Sequence, residues 1–183
     1  MTATFSIPTL ETERLILRAP AEKDFETEAA FFESDASRFV GGPVPRHQSW
    51  RALACVIGHW AMRGYGFWAL ENKETGEYLG RVGLWNPEGW PEPEIGWTLM
   101  KNAQGHGFAT EAAIAARDYA YNELGWPTAI SLIDPANTPS EAVAKRLGAS
   151  FETTYEHPAF GTMYIWRHPS AEDLMAGGME AYA

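Results

Sequence analysis

A glycine-rich turn between a strand-like run and a helix-like run constrains the fold more than any other feature. The turn Gln104-Gly-His-Gly-Phe-Ala109 follows an apolar run at residues 94–100 and opens a helical pattern at residues 108–124. Two glycines let the backbone curl so that several N–H groups point to one spot, and the helix N-terminus adds the positive end of its dipole. Such a turn can hold an anion, although a plain glycine turn into a helix fits the same residues.

The remaining patterns predict short strands and helices in alternation. Thr-Gly at residues 75–76 predicts an antiparallel hairpin, and Gly96 indicates a bulge or the close approach of another backbone. We therefore expect an α+β fold, with a mixed, largely antiparallel twisted sheet of about seven strands and about four helices. Strands are expected at residues 13–18, 67–70, 78–85, 94–100, 129–134, 151–155 and 163–166, and helices at 21–33, 48–62, 108–124 and 138–148.

Local patterns predict three further details. In the helix at residues 48–62, apolar positions that include Trp50 recur at helical spacing, and Cys55 lies between apolar neighbours, which predicts a buried structural thiol. Thr-Pro-Ser-Glu at residues 138–141 predicts a capping box with Thr138 at the cap. Residues 171–183 are typical of a loosely held tail.

Length and composition limit the chain to a globular protein of modest size. Its 183 residues suit one domain, which we place at residues 1–170, and 45% apolar against 21% charged residues is typical of an ordered core. The net charge of −10 argues against a nucleic-acid partner, because phosphate recognition needs a positive surface. The acidity fits a cationic amine partner, and it equally serves solubility.

Several site classes are disfavoured. The N-terminal residues contain no basic segment followed by an apolar run, and nothing approaches ~18 uninterrupted apolar residues, so we expect no membrane span and a cytoplasmic protein. The five histidines have no metal-ligand spacing, so no metal is expected. The third glycine of a dinucleotide fingerprint would fall at Thr110 and no Lys-Ser/Thr pair follows, which disfavours a nucleotide-binding α/β protein.

The turn and its surroundings together resemble the acetyl-CoA-binding core of the GNAT acetyltransferases. The family signature is Gln/Arg-x-x-Gly-x-Gly/Ala, and Gln104, Gly107 and Ala109 match it. The strings Glu-Ile-Gly-Trp and Gly-Phe-Ala-Thr-Glu-Ala, the later Asn-x-x-Ser and Lys-Arg-Leu-Gly, and Thr-Glu-Arg-Leu-Ile-Leu-Arg at residues 12–18 are similar to the RimJ/RimL-like branch. The resemblance covers about residues 7–168.

The resemblance implies a binding site for acetyl-CoA. The pyrophosphate would lie on the amides of the glycine-rich turn, and the pantetheine arm would run along the free backbone of residues 97–99, where the sheet opens. In that family a backbone amide of this strand also holds the thioester oxygen. The implied acetyl-CoA-binding residues are Trp97, Thr98, Leu99, Gln104, Gly105, His106, Gly107, Phe108, Ala109, Thr110, Asn137 and Ser140.

The catalytic groups are less defined. Glu94 and Glu156 are the candidate general bases, and Glu94 fits an ordinary strand-end carboxylate as well. Many family members protonate the leaving thiolate with a tyrosine, but that position is Ala144 here. The role passes to Ser140, which would otherwise be a residue of a helix's first turn.

The acceptor would be an amine, and a homodimer is compatible with this interpretation. Holding an α-amino group (pKa ~8) neutral at pH 7 costs about 1.4 kcal/mol, against roughly 4.6 kcal/mol for a lysine (pKa ~10.4). The α-amine of a protein N-terminus therefore asks less of the base, although a small-molecule amine is also an acceptor that the resemblance allows. We expect at most two of Trp85, Trp90 and Trp97 in the acceptor pocket, and a non-catalytic acyl-CoA-binding module remains the alternative function.

Overall fold

The computed structural model describes residues 5–177, in which eight strands form one sheet. The sheet is mixed, because only the fifth and sixth strands pair in parallel and every other pair of neighbours is antiparallel. The strands are β1 (Leu10–Glu11), β2 (Leu15–Arg18), β3 (Phe67–Asn72), β4 (Tyr78–Trp85), β5 (Glu94–Leu99), β6 (Ile130–Ile133), β7 (Ser150–His157) and β8 (Gly161–Arg167), and their order is β1-β2-β3-β4-β5-β6-β8-β7.

Five α-helices accompany the sheet within the same residues, so the expected fold class is confirmed with one more strand and one more helix than predicted. The helices are α1 (Phe25–Phe32), α2 (Arg46–Arg63), α3 (Phe108–Asn122), α4 (Thr138–Arg146) and α5 (Ala171–Gly177). The buried face of α3 carries Ala112, Ala113, Ala116 and Ala120, which are fully buried against the core. Because alanine side chains are small, the helix axis lies close to the sheet. This short distance also fixes the position of the turn that precedes α3 relative to β5.

β5 and β6 separate almost as soon as they pair. Their register has one residue pair, Glu94 with Ile130, and the sheet opens beyond it. The next ladder bond of a parallel pair would run from the N–H of Leu132 to the carbonyl of Ile95. Instead, Ser131 Oγ donates to that carbonyl over 2.6 Å, and the N–H of Leu132 donates to Glu94 Oε1 over 3.1 Å. Two side chains thus hold the two strands apart at the start of the opening.

Gly96 does not form a bulge. The register between β4 and β5 advances one residue at a time from Gly80–Leu99 to Trp85–Glu94. A Cβ atom on Gly96 would lie 2.9 Å from Cζ of Phe67, so the glycine admits an aromatic ring instead. Both expectations are therefore wrong at this position, because there is no bulge and the close neighbour is a side chain rather than another backbone.

One prediction for α2 is wrong, because Cys55 is exposed rather than buried. Its apolar neighbours in the sequence do not share its side of the helix, since successive residues are turned by about 100°. Trp50, a member of the predicted apolar pattern, is 52% exposed. Leu53, Val56 and Trp60 are buried, while Cys55 borders a cavity.

The cap of α4 is Asn137 and not Thr138. The Asn137 side chain accepts a hydrogen bond from the N–H of Ser140, and Thr138 is the first helical residue. Asparagine is as good a cap as threonine and stands one residue earlier, which moves the helix start by one position. In the predicted tail, residues 171–177 form α5, with Leu174 packed against the core, and residues 178–183 lie outside the described residues.

Candidate active site

Two cavities meet at the open side of β5. The first, which we call the acceptor cavity, has a volume of about 720 Å³ and lies over the face of β4 and β5 that α2 approaches. The second, the cofactor cavity, has about 1550 Å³ and follows the glycine-rich turn. The two form one continuous cleft, because both are lined by Arg38, Phe39, Val40, Trp97, Thr98, Asn137 and Ser140.

The glycine-rich turn forms one end of the cofactor cavity. Gly105 and Gly107 have φ of +81° and +80°, in the left-handed region that glycine adopts without strain. Gly107 is the N-cap of α3 and has no side-chain capping bond, so the first N–H groups of the helix face the cavity without a capping side chain. This is the arrangement in which a helix start binds an anion.

A salt bridge from the N-terminal segment holds the turn in place. Arg14 Nε and Nη2 both lie 2.7 Å from Glu111 Oε2, and Arg14 Nη1 donates to the carbonyl of His106 over 3.0 Å. Thr12 Oγ1 donates to Glu111 Oε1 over 2.6 Å. The guanidinium also lies 4.7 Å from the ring centre of Phe108. Burial raises the pKa of Glu111, but these hydrogen bonds outweigh it and hold the pKa below its usual value.

Sequence reasoning missed Arg14 and Glu111 as a functional pair. The segment at residues 12–18 and the string that contains Glu111 each resemble the family, but the resemblance does not pair the two residues. The available signal was an arginine and an acidic residue in two motifs of the same family.

The backbone of β5 is exposed to the opening between β5 and β6. The N–H of Met100 donates to Leu79 on the β4 side, and alternate residues of a strand turn their backbone groups to opposite sides. Trp97 and Leu99 therefore direct theirs toward the opening, and the Leu99 carbonyl accepts from Gln104 Nε2 over 3.0 Å. Thr98 has its backbone on the β4 side and lines both cavities.

Glu94 is a buried carboxyl group in the acceptor cavity. It is 7% exposed, and its Oε1 and Oε2 accept from the N–H of Leu132 and from Nε1 of Trp90 over 3.1 and 2.7 Å. Burial raises the pKa of Glu94 to about 7, and the two hydrogen bonds lower it only in part. A carboxyl group with this pKa exchanges a proton near neutral pH.

Ser140 lies where the two cavities join. Its Oγ accepts a hydrogen bond from Nε1 of Trp97 over 3.2 Å, so its own hydroxyl hydrogen remains available, and no acceptor for it occurs among residues 5–177. Its N–H donates to Oδ1 of Asn137, which fixes the first turn of α4 beside β5. Trp97 and Asn137 therefore fix the position of Ser140, whose hydroxyl group is free to donate a hydrogen bond in the cleft.

The structure brings most of the predicted site residues into the cleft. Eleven of the twelve implied acetyl-CoA-binding residues line the cofactor cavity, and Glu94 lines the acceptor cavity. His106 lies outside that lining and stacks on Phe108, with ring centres 5.6 Å apart. Glu156 lines neither cavity and is exposed on β7, where it accepts from Thr162.

All three candidate tryptophans line the acceptor cavity, where at most two were expected. Trp85 stacks on His59, with ring centres 4.4 Å apart, and Trp90 donates to Glu94. His59 is itself fixed between the carbonyl of Tyr65 and the N–H of Asn86. Trp90 and Trp97 both have paired ring nitrogens, and partly buried tryptophans of this kind can serve the core and a pocket wall together.

The cofactor cavity fits coenzyme A in its charge and its polar atoms. Four cationic and three carboxylate side chains line it, and Lys101 and Arg146 have no ion-pair partner among residues 5–177. Thr110 Oγ1 is buried in the first turn of α3 with no partner among those residues. Free cations and a free hydroxyl beside a helix start suit phosphate groups.

Neither a metal site nor a membrane-spanning helix occurs in the part of the chain that the structure describes. Residues 5–177 contain no group of three His, Cys, Asp or Glu side chains that could hold a metal ion. None of the helices described there is both long and apolar enough to cross a bilayer.

Comparison with known proteins places the chain in a family. The family model described as "Acetyltransferase (GNAT) domain" matches residues 14–150. The uncharacterized protein YkkB of Bacillus subtilis (strain 168) is 32% identical over 154 residues, which are 79% of this chain and 87% of that protein. An acetyltransferase from Agrobacterium tumefaciens str. C58 has a crystal structure that matches with a TM-score of 0.83 and 36% identity, over 92% of this chain and 98% of that one.

A more distant structure shares the fold alone. RimJ of Mycobacterium smegmatis, in complex with CoA-disulfide, matches with a TM-score of 0.70 and 19% identity, over 87% of this chain and 83% of that one. With a GNAT family match over most of its length, this chain belongs to the GNAT family and is an acetyl-CoA-dependent N-acetyltransferase.

Proposed function

We propose that this enzyme transfers the acetyl group of acetyl-CoA directly to a primary amine, with both substrates bound together. The observation that carries the proposal is the single cleft, in which a turn suited to phosphates and a buried carboxyl group lie on opposite sides of one junction. Two substrates can meet there without an acylated enzyme. The acceptor is a protein N-terminal α-amine or a small-molecule amine, and the motifs at residues 12–18 and 104–112 support a RimJ/RimL-like relation.

Glu94 acts as the general base. When bound, acetyl-CoA supplies a thioester carbon at which the amine nitrogen forms its new bond while the carbon–sulfur bond breaks. The Glu94 carboxylate takes the proton that the nitrogen loses, and a pKa of about 7 leaves much of this group ionised at neutral pH. An amine with a pKa near 8 lies closest to this base.

Ser140 relays a proton from solvent in the cleft to the leaving sulfur, so that its own oxygen is still protonated when the step ends, and β5 stabilises the developing charge. The proton that Glu94 has taken is released to solvent. The Ser140 hydroxyl keeps its hydrogen for an acceptor in the cleft, because Trp97 donates to its oxygen. The backbone N–H groups of Trp97 and Leu99 face the opening in which the thioester oxygen would lie. Each of these groups is fixed by the protein before the substrates arrive.

Thiol release with and without an amine tests this function. The purified chain, given acetyl-CoA and an amine panel, should release free thiol in proportion to the acetylated amine found by mass spectrometry. A non-catalytic acyl-CoA-binding module would bind coenzyme A in calorimetry and release no acceptor-dependent thiol. An acylated enzyme, detected as a gain in protein mass without an amine, would contradict direct transfer.

A further inference from the structure

The floor of the acceptor cavity is an aromatic surface. In the β4–β5 register, Trp85 pairs with Glu94 and Gly83 with Gly96, so all four residues share the face that borders the cavity. Gly96 leaves space above its strand that the ring of Phe67 occupies, and Gly83 lies directly against the backbone of Gly66 and Phe67. The rings of Phe67 and Trp85 lie 5.3 Å apart at a tilt of 42°. The carboxyl group of Glu94 stands at the edge of this surface.

Two more aromatic side chains, which we call the roof, line the cavity from the loops that follow β4 and β7. Trp90 and Phe160 both line it, with ring centres 6.2 Å apart, and His157 packs against each of them at 4.9 and 4.6 Å. A Cβ atom on Gly41 would lie 3.6 Å from the ring of Phe160, so the β7–β8 turn touches the loop before α2. Aromatic rings therefore line the cavity both on the strands, with Phe67 and Trp85, and in the loops, with Trp90 and Phe160.

This surface already binds one cation of the protein. The Arg81 guanidinium lies 5.7 Å from the ring centre of Phe67 and faces Glu28 at 3.4 Å. Glu28 is 2% exposed, so the charge of Arg81 is balanced from within the protein. A ring face that attracts a guanidinium attracts an ammonium group for the same electrostatic reason.

The remaining charges in the cavity are carboxyl groups or paired arginines. Glu94 and Asp134 line the cavity, and Arg38 at its junction pairs with Asp35 at 3.2 Å. No cation in the lining, within the described residues, lacks a carboxylate partner. The cavity thus favours a positive group and an apolar body over a group that carries a carboxylate.

We infer that the acceptor is a small primary amine with an aromatic or similarly broad apolar body and no negative charge beside its nitrogen. This inference rests on the proposed function and selects the small-molecule acceptor within it. The volume of about 720 Å³ suits a small molecule, since such sites measure about 300–1,000 Å³. The β7–β8 turn touches the loop before α2, so a polypeptide acceptor has less room to extend out of the cavity.

A matched set of four amines tests the inference. The full chain is assayed by thiol release with 2-phenylethylamine, free phenylalanine, spermidine and a tetrapeptide with N-terminal alanine. Phenylalanine differs from 2-phenylethylamine only by a carboxylate, and spermidine lacks the ring. We expect kcat/KM for 2-phenylethylamine to exceed the other three values by at least about tenfold. A value for any of the three that equals or exceeds it would overturn the inference.

Two exposed phenylalanines provide the variant and its control. Phe160→Ala removes one ring from the roof, and Phe151→Ala removes a ring of similar exposure on β7 that lines neither cavity. We expect F160A to raise KM for 2-phenylethylamine by about 3- to 30-fold with coenzyme A affinity unchanged, and F151A to leave both unchanged. An unchanged KM in F160A would overturn the inference. Absence of thiol release with every amine would instead overturn the proposed function, whereas a different preference overturns the inference alone.

Discussion

Arg14 and Glu111 are 97 residues apart in the chain, and their side chains meet at 2.7 Å beside the glycine-rich turn. The contact joins the segment before β2 to the first turn of α3, and through the His106 carbonyl it also fixes the turn itself. A carboxylate at a helix start competes with an incoming phosphate for the same dipole. Arg14 neutralises that carboxylate, so the turn remains attractive to an anion.

Arg14→Met should weaken coenzyme A binding. Methionine keeps an apolar chain over Phe108 but removes the bonds to Glu111 and to the turn. Because the Arg14 side chain is 45% exposed, solvent screens the pair, and we expect Kd to rise by about 3- to 10-fold in calorimetry. Arg46→Met is the control, since Arg46 pairs with Glu26 away from both cavities. Equal Kd values for both variants would show that the bridge has no part in binding.

Gly107→Ala should weaken the same binding through the backbone. A Cβ atom at a φ of +80° costs about 1–2 kcal/mol of strain, and relief of that strain turns the amides away from the cavity. We expect Kd for coenzyme A to rise at least about tenfold. Gly125→Ala carries a similar strain, at a φ of +69° with open space around it, at the other end of α3. If both variants bind as the parent does, the turn is not the phosphate site.

The turn could be predicted from its own residues, whereas contacts between residues far apart in the chain could not. Gly105 and Gly107 favour a positive φ, and the strand and helix patterns around them place the turn between two elements. The fold and most of the cofactor cavity could therefore be predicted. Arg14 could not be assigned, because its role arises from a contact across 97 residues. Cys55 was misplaced because successive residues of a helix point to different sides, so apolar neighbours in the sequence do not show that a side chain is buried.

The role of Glu94 illustrates the same limit. From the sequence, Glu94 is a carboxylate at the start of a strand, and nothing in the neighbouring residues indicates its environment. Its pKa depends on burial and on hydrogen bonds from Leu132 and Trp90, and only the separation of β5 and β6 brings these groups together. The strand could be predicted, but the environment of its first side chain could not.

Glu94→Gln should abolish most of the activity and its pH dependence. A general base contributes about 10²- to 10⁴-fold, so kcat should fall by roughly that factor. In the parent enzyme kcat/KM should rise with pH through an inflection near 7, where Glu94 loses its proton, and in E94Q this inflection should vanish. Glu156→Gln is the decisive comparison, because Glu156 is exposed outside both cavities. Loss of activity in E156Q with E94Q unaffected would transfer the role of base to Glu156.

The same substitution should change how stability depends on pH. The pKa of Glu94 is about 7 in the folded protein and near 4.5 when unfolded, so the folded state holds its proton longer. The stability that this proton contributes is fully present below pH 4.5 and is lost as pH rises to 7. E94Q has no such loss, so its unfolding free energy minus that of the parent should increase between pH 5 and pH 8 by roughly 2.5 kcal/mol. Urea unfolding at several pH values measures this difference, and a constant difference would contradict a raised pKa.

Cys55 offers a direct probe of the acceptor cavity, since it is the single cysteine of the chain and lines that cavity from α2. Alkylation with N-ethylmaleimide should raise KM for the amine several-fold, because the added group of about ten heavy atoms occupies the cavity. Coenzyme A affinity should remain close to that of the untreated enzyme, since Cys55 is outside the cofactor cavity.

A saturating amine acceptor should in turn slow the alkylation, which is followed by the mass of the intact protein. Cys55→Ala, treated in the same way, controls for reaction at other side chains and should keep its amine KM. If labelling instead weakened coenzyme A binding and left the amine KM unchanged, the two halves of the cleft would have to exchange their assigned substrates. The position of one thiol on α2 therefore decides which side of β5 receives the amine.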